Sequence, residues 1–129
     1  LHRTTSAKTR ATAKLRQLHI PPNVSNNFKI MQDTLINDIQ KWFKSQCNGD
    51  WEHSFGLNIS TLDNPGWYVK IDLIETNLEN INYQKKVDNG NNDWYTVTVE
   101  NSVFEAFGDT SKLETILQLF INEIVNYKM

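Results

Sequence analysis

Short runs in which apolar and polar residues alternate constrain the fold of this chain more than any other feature. An alternating run places its apolar residues on one face of a β-strand. The clear runs cover residues 55–60, 67–73 and 94–100, with weaker candidates at 81–87 and 103–107. Turn-forming stretches, LDNPG and DNGNN, separate some of them. The sequence therefore predicts an antiparallel β-meander of four to five strands with one buried face.

A helix is predicted on each side of these strands. After Asp33, which we expect to cap the first helix, apolar residues recur at helical spacing at Leu35, Ile36, Ile39, Trp42 and Phe43. Asn48 and Gly49 are residues that end helices. Ser111 and Glu114 have the spacing of a capping box. The stripe that follows comprises Leu113, Ile116, Leu117, Phe120, Ile121, Ile124 and Val125. We expect an α+β fold with an N-terminal helix and a C-terminal helix packed on the sheet.

Length and composition indicate a single domain. A chain of 129 residues, 39% of them hydrophobic, buries a core without disulfide bonds, and Cys47 is its one cysteine. No apolar run approaches the roughly 18 residues that a membrane span needs. No secretory signal is recognisable at the amino end. We therefore expect a cytoplasmic protein with no membrane partner.

Charge is distributed unevenly along the chain. Residues 1–30 carry six Lys and Arg and no acid, which leaves seven Lys and Arg against 15 Asp and Glu in residues 31–129. The second segment therefore has a formal net charge of −8. Such a charge repels nucleic-acid phosphates and attracts a basic protein. We predict a protein partner, and no nucleic acid, for residues 31–129.

Residues 1–30 are interpreted as a basic extension and linker, non-native or disordered, ahead of a domain at 31–129. A weak basic helix is predicted over residues 7–18, and Pro21 and Pro22 are expected to lead into a polar linker. Three origins are open: sequence that precedes a natural start at Met31, a transit-like segment, or a basic arm for nucleic acid.

The segment CNGDWEHSFG, residues 47–56, concentrates side chains of the types that act in catalysis or bind metal ions. A thiol enzyme would pair Cys47 with His53, but a thiolate is disfavoured in the last turn of a helix, where the dipole is negative. A metal site would use Asp50, Glu52 and His53, yet adjacent residues of an extended chain point to opposite faces. We therefore predict no catalytic residues, no metal and no cofactor. A small thiol- or metal-dependent enzyme centred on Cys47 and His53 is the alternative.

Two strings carry a resemblance to a known family: WFKSQCNGDWEHSFG at residues 42–56 and TLDNPGWYVKIDL at residues 61–73. The strings DW and VFEAFG and the closing helix extend it. With these, residues 31–129 resemble the immunity protein 53 family of bacterial polymorphic toxin systems. The basic extension and the polar NGNN turn depart from the family pattern.

The resemblance implies a small non-enzymatic antidote that binds a toxin domain and blocks it, and the acidic charge suits a basic toxin such as a nuclease. The matched motif positions are Trp51, Glu52, Asp63, Asn64, Pro65, Gly66 and Trp67. We predict one toxin-binding surface, with Trp51 as its apolar anchor and carboxylates as steering groups. Its members are Asp50, Trp51, Glu52, His53, Asp63, Asn64 and Trp67. A purely structural role in turns and loop hydrogen bonds is the alternative.

Overall fold

In a computed structural model of the protein, residues 22–126 are described, with side chains from residue 34 onward. The chain divides into two compact units, Leu1–Thr34 and Leu35–Met129, and the sheet and the closing helix belong to the second. The helix predicted over residues 7–18 lies outside the described residues. The division into an extension and a domain near residue 30 stays a prediction.

Helices precede and follow a five-stranded antiparallel sheet, so the predicted α+β class is confirmed. The helices are α1 (Pro22–Gln46), the short α2 (Trp51–Ser54) and α3 (Leu113–Leu119), which continues into a π-helical turn, Phe120–Val125. The strands are β1 (Leu57–Leu62), β2 (Gly66–Asp72), β3 (Tyr83–Asp88), β4 (Trp94–Glu100) and β5 (Val103–Gly108). None of the helices in residues 22–126 combines the length and apolar character that a bilayer span requires.

The strand order is β1-β2-β5-β4-β3, which differs from the order of a simple meander. β1 and β2 form one hairpin, and β3, β4 and β5 form a three-stranded meander. β5 then pairs with β2, so Ala106 lies opposite both Val69 of β2 and Val97 of β4. Residues 73–82 therefore carry the chain from one part of the sheet to its far edge. Alternating patterns identify strands but not their neighbours, and this is why the predicted order was wrong.

The core lies on one face of the sheet and follows the predicted alternation in its three central strands. The buried hydrophobic side chains of those strands are Val69, Ile71, Tyr95, Val97, Val99, Phe104 and Ala106. Trp42 of α1 packs edge-on against Phe120, with ring centroids 5.0 Å apart. Phe120 in turn packs against Phe104 of the sheet at 5.1 Å. The aromatic contacts thus join both helices to the middle of the sheet.

Both predicted helix starts are wrong. α1 begins at Pro22, and Asp33 lies inside the helix, so the polar residues expected to form a linker are helical. Proline is favoured in the first turn of a helix, because it lacks an N–H group and an N–H at that position would have no acceptor within the helix. The N-cap of α3 is Lys112, and it makes no capping hydrogen bond through its side chain. Ser111 is not part of a capping box, because its hydroxyl donates to the Asp109 carboxylate at 2.6 Å.

Asp109, which directly follows β5, is the buried charged residue of the described side chains, with 4% of its surface exposed. Its carboxylate accepts hydrogen bonds from the backbone N–H groups of Trp94, at 2.7 Å, and Ser111, at 2.8 Å. Lys112 Nζ lies 2.9 Å from this carboxylate and 2.9 Å from that of Asp93. The network joins the start of β4, the end of β5 and the start of α3.

The loop of residues 73–82 is held by the turn between β4 and β5. Asn101 and Ser102 have φ angles of 54° and 65°, as the two central residues of a type I′ hairpin turn require. Ser102 Oγ donates to the carbonyl oxygen of Glu79 at 2.9 Å. The N–H of Leu73 donates to the carbonyl oxygen of Ser102 at 2.8 Å. One hairpin turn therefore anchors the crossing chain at two points.

Gly108 and Gly56 provide a matched test of the packing at the end of β5. A Cβ atom at Gly108 would lie 2.8 Å from Lys112 Cβ and 3.3 Å from Tyr95 Cβ, whereas one at Gly56 meets nothing within 4 Å. We expect Gly108→Ala to lower the free energy of unfolding by about 1–3 kcal/mol. Gly56→Ala should change it by less than about 0.5 kcal/mol. Urea denaturation measures both, and equal stability would contradict the close packing.

The Asp109 network predicts a specific pH dependence. Burial opposes ionisation of Asp109, but hydrogen bonds from Ser111, Trp94 and Lys112 outweigh it and hold the pKa well below its ordinary value of 3.8. A carboxylate with a lowered folded-state pKa stabilises the fold above the unfolded-state pKa and loses this effect as the pH falls. Asp109→Asn should therefore melt at a lower temperature than the wild type at pH 7.

The gap in melting temperature between wild type and Asp109→Asn should narrow as the pH is lowered from about 5 to about 2, because only the wild type loses this contribution. Asp63→Asn, at an exposed carboxylate outside the described ion pairs, is the control. Thermal unfolding followed by circular dichroism measures the gap. A gap that stays constant over this range would contradict the role given to the Asp109 charge.

Candidate functional site

The loop between α1 and α2 is closed by reciprocal side-chain hydrogen bonds. Asn48 Oδ1 accepts from the backbone N–H groups of Asp50, at 2.9 Å, and Trp51, at 3.0 Å. In the other direction the Glu52 carboxylate accepts from the N–H groups of Asn48, at 2.9 Å, and Gly49, at 2.8 Å. These bonds satisfy backbone amides of the loop and of the start of α2, which have no acceptor within a helix. Asn48 is the loop residue whose side-chain role the sequence did not reveal.

The ionised carboxylate of Glu52 holds this loop together by accepting backbone hydrogen bonds. Its own backbone N–H, together with those of Asn48 and Gly49, holds the pKa of the Glu52 carboxyl below its ordinary value, against the opposing effect of burial. Glu52 is half-buried as a residue, and both oxygens of its carboxylate accept hydrogen bonds within the loop. Glu52 therefore shapes the surface that carries Asp50 and His53.

Trp51 lies in the core, with 2% of its surface exposed. Its Nε1 donates to the carbonyl oxygen of Ile74 at 2.9 Å, which ties α2 to the chain just beyond β2. Its ring also meets Trp42 edge-on, with centroids 6.1 Å apart. The prediction that Trp51 is an apolar anchor at the surface is therefore wrong. Its neighbours Asp50 and Glu52 are polar, but the ring itself points into the core.

Cys47 and His53, the centre of the alternative enzyme hypothesis, are not joined in the described structure. The Cys47 thiol is exposed and donates to the carbonyl oxygen of Phe43 at 3.3 Å, one turn earlier in α1. None of the hydrogen bonds described for residues 34–126 connects it with His53. The described side chains also bring together no cluster of three or more His, Cys, Asp or Glu that would hold a metal ion.

The predicted contact residues fall at two ends of the β1–β2 hairpin. At one end, Leu57 pairs with Ile71, and α2 with its loop leads into this end. At the other end, Leu62 pairs with Gly66 across the turn that contains Asp63 and Asn64. A strand of six residues is about 20 Å long. The structure therefore does not place the loop residues and the turn residues in one continuous patch.

The turn end of the hairpin lines an open cavity of about 590 Å³. Asp63 and Asn64 are exposed there, and Trp67 is half-buried and donates through Nε1 to the carbonyl oxygen of Thr110 at 3.0 Å. The lining includes Asn64, Pro65, Lys86, Asp88, Trp94 and Thr96. The complete lining comes from the β1–β2 turn, the β3–β4 turn, strands β3 and β4, and the residues that follow β5. The sequence did not indicate the cavity, because it depends on the strand order that brings the two turns to one end of the sheet.

Two carboxylates at the ends of the hairpin take part in no ion pair among the described side chains. The ion pairs among the described side chains join Lys70 to Asp72, at 4.0 Å, and Lys112 to its two acidic partners. Asp50 and Asp63 take part in none of these pairs, and both are exposed. Their carboxylates are the members of the predicted set that are available to a partner.

Comparison with known proteins identifies the family. Searches of curated proteins and of solved structures returned no similar protein. The sequence model of the family described as Immunity protein 53 matches residues 36–125, which is most of the chain and includes both ends of the hairpin. The resemblance drawn from the sequence motifs is thus confirmed. The chain belongs to the Immunity protein 53 family, and family membership implies an immunity protein that acts against a toxin.

Proposed function

We propose that this protein neutralises a bacterial polymorphic toxin domain in the cytoplasm by binding to it through acidic surface groups. An immunity role and a toxin partner follow from the family. The further content of the proposal is that the toxin domain is basic, as a nuclease is, and that inhibition requires binding alone. Its support comes from the charge and the exposure of particular side chains.

The observation that carries the proposal is uncompensated negative charge. Residues 31–129 have a formal net charge of −8. Two lysines, Lys70 and Lys112, are already occupied by acidic neighbours, so they do not offset the charge of other carboxylates. A surface with this excess attracts a basic protein and accelerates association at low salt. Enzymes that act on nucleic acids need a positive surface for phosphates, and such a surface is complementary to this one.

We assign the contact to the exposed members of the predicted set, Asp50 and His53 at one end of the hairpin and Asp63 and Asn64 at the other. Glu52 holds the loop that presents the first pair, and Trp67 holds the turn that presents the second. The buried Trp51 is left out of the contact.

Co-expression with the toxin domain encoded beside this chain tests the proposed function. We expect the chain to restore the growth of bacteria that produce the toxin. The purified chain should bind a catalytically inactive form of that domain, with an affinity that falls as the salt concentration rises. Absence of both rescue and binding would overturn the proposal.

Charge reversal tests the contribution of the acidic groups. Asp50→Lys and Asp63→Lys should each weaken toxin binding by about 3- to 10-fold, mainly through slower association, because steering charges act on the encounter rate. The melting temperature should change little, since both carboxylates are exposed and outside the described ion pairs. Surface plasmon resonance separates the two rates.

The control for charge reversal is Glu123→Lys, which makes the same change in net charge. Glu123 is exposed, and its charge acts on Tyr83 and Lys85 of β3, at the opposite edge of the sheet from β1. This variant should associate nearly as fast as the wild type. If all three variants slow association equally, net charge rather than the hairpin ends determines binding.

Replacement of the thiol separates binding from catalysis. Cys47→Ser keeps a donor for the carbonyl oxygen of Phe43 and removes the nucleophile. We expect this variant to protect cells as well as the wild type and to bind the toxin domain with unchanged affinity. Loss of protection with intact folding and binding would favour the thiol enzyme instead.

A further inference from the structure

β1 is an edge strand, and among the described residues its outer side has no hydrogen-bond partner. The N–H of Asp72 donates to the carbonyl oxygen of Gly56 at 3.0 Å, so this pair is a hydrogen-bonded one. Hydrogen-bonded and non-hydrogen-bonded pairs alternate along an antiparallel ladder. Leu57, Ile59 and Thr61 therefore direct their N–H and C=O groups away from β2. We call these outward groups of Leu57–Leu62 the open edge.

The open edge lacks the features that usually block the addition of another strand. β1 contains no charged residue and no proline, and its register with β2 is continuous over six residues, without a bulge. Ile59 lies opposite the buried Val69, yet 41% of its surface is exposed. The other edge of the sheet differs, because β3 carries Lys85 and Lys86, which is a common protection of edge strands. Of the two edge strands in the described sheet, β1 is the one that has no charged residue and an exposed apolar side chain.

Exposed carboxylates flank the open edge along the chain. Asp63 follows β1 directly, and Asp50 precedes α2, which leads into β1. Both are exposed and take no part in the described ion pairs. A strand added to this edge would therefore have an apolar neighbour at its centre, Ile59, and negative charge towards its ends.

We infer that the open edge receives an extended segment of the toxin, apolar at its centre and cationic towards its ends, as a sixth strand of the sheet. The inference rests on the proposed function and specifies the mode of contact. Main-chain hydrogen bonds to Leu57, Ile59 and Thr61 provide the attachment, and the side chains beside Ile59 and the flanking carboxylates provide selectivity.

A second copy of this chain fits the open edge less well. Antiparallel self-pairing centred on Ile59 sets Leu57 of one copy opposite Thr61 of the other. The same register sets Asp63 opposite Phe55 of the other copy, at the end of α2. Each copy carries the same excess of negative charge in residues 31–129, so two copies repel each other. A cationic toxin segment meets attraction instead.

Amide hydrogen exchange on the full chain tests strand addition directly. The probe is the toxin domain encoded beside this chain, in a catalytically inactive form. In the complex we expect exchange at the amides of Ile59 and Thr61 to slow by at least about tenfold, because they acquire acceptors. The amides of Asn58 and Ser60 point to β2 and should already be slow in the free protein.

Substitutions at Thr61 test the same contact by affinity. Thr61→Pro removes an outward N–H and leaves the ladder to β2 intact, and proline is tolerated on edge strands. We expect the affinity for the inactive toxin domain to fall at least about tenfold, with a melting temperature within a few degrees of the wild type. If this variant does not fold, Thr61→Lys provides the test, since a lysine blocks the edge and repels a cationic segment.

The matched control is Thr98→Lys, the same exchange in β4, where Thr98 pairs with Gln84 and Glu105 inside the sheet. It should bind the toxin as the wild type does. Toxin binding with unchanged exchange at Ile59 and Thr61 overturns strand addition and leaves the immunity function standing. Failure of both binding and rescue overturns the proposed function and the inference with it. Concentration-dependent protection of these amides in the free chain identifies a second copy as the occupant and overturns the inference.

Discussion

The buried carboxylate of Asp109 is the interaction on which the arrangement of the sheet and its covering helix depends. A buried charge is tolerated only when hydrogen bonds and a counter-charge surround it, and here backbone amides, a hydroxyl and the Lys112 ammonium do so. Its partners start β4 and α3, so the same group fixes β5 beside β4 and sets where the closing helix leaves the sheet. That helix supplies Phe120 to the core. Lys112 extends the network to Asp93 in the turn between β3 and β4.

The strands were predictable where burial is one-sided. β4 has the predicted bounds because Tyr95, Val97 and Val99 alternate with residues that face away from the core. The predicted start of α1 was too late, because the prolines and asparagines of residues 21–27 indicated a linker, although Val24, Phe28 and Met31 continue the helical spacing that leads to Leu35. The capping box failed for a different reason: Ser111 has the expected local spacing, but a tertiary acceptor, Asp109, takes its hydroxyl. The order of the strands depends on pairing between distant residues, which periodicity does not encode.

The candidate site shows the same division between local and distant information. The end of α1 near Gly49, which has a positive φ of 95°, was predictable from residue type. The burial of Trp51 was not, because its acceptor is the carbonyl group of Ile74, more than twenty residues away. The density of polar groups around Trp51 reflects the construction of a tight loop, in which Asn48 and Glu52 supply acceptors. The residues left for recognition are therefore fewer than the motif suggests, and the length of β1 separates them.

The turn at Ser102 also bears on how the chain reaches this structure. The β3–β4–β5 meander is built from contacts between residues close in the chain, whereas the pairing of β2 with β5 closes a much longer loop and carries a larger entropic cost. Glycine would adopt the φ angle of Ser102 more easily, but it would lose the hydrogen bond to Glu79. Ser102 thus adopts an unfavourable φ angle, and its side chain gains a hydrogen bond to Glu79 that can form only after the β4–β5 hairpin has formed. The crossing chain should consequently order late during folding and open early during partial unfolding, which makes it the kinetic weak point of the domain.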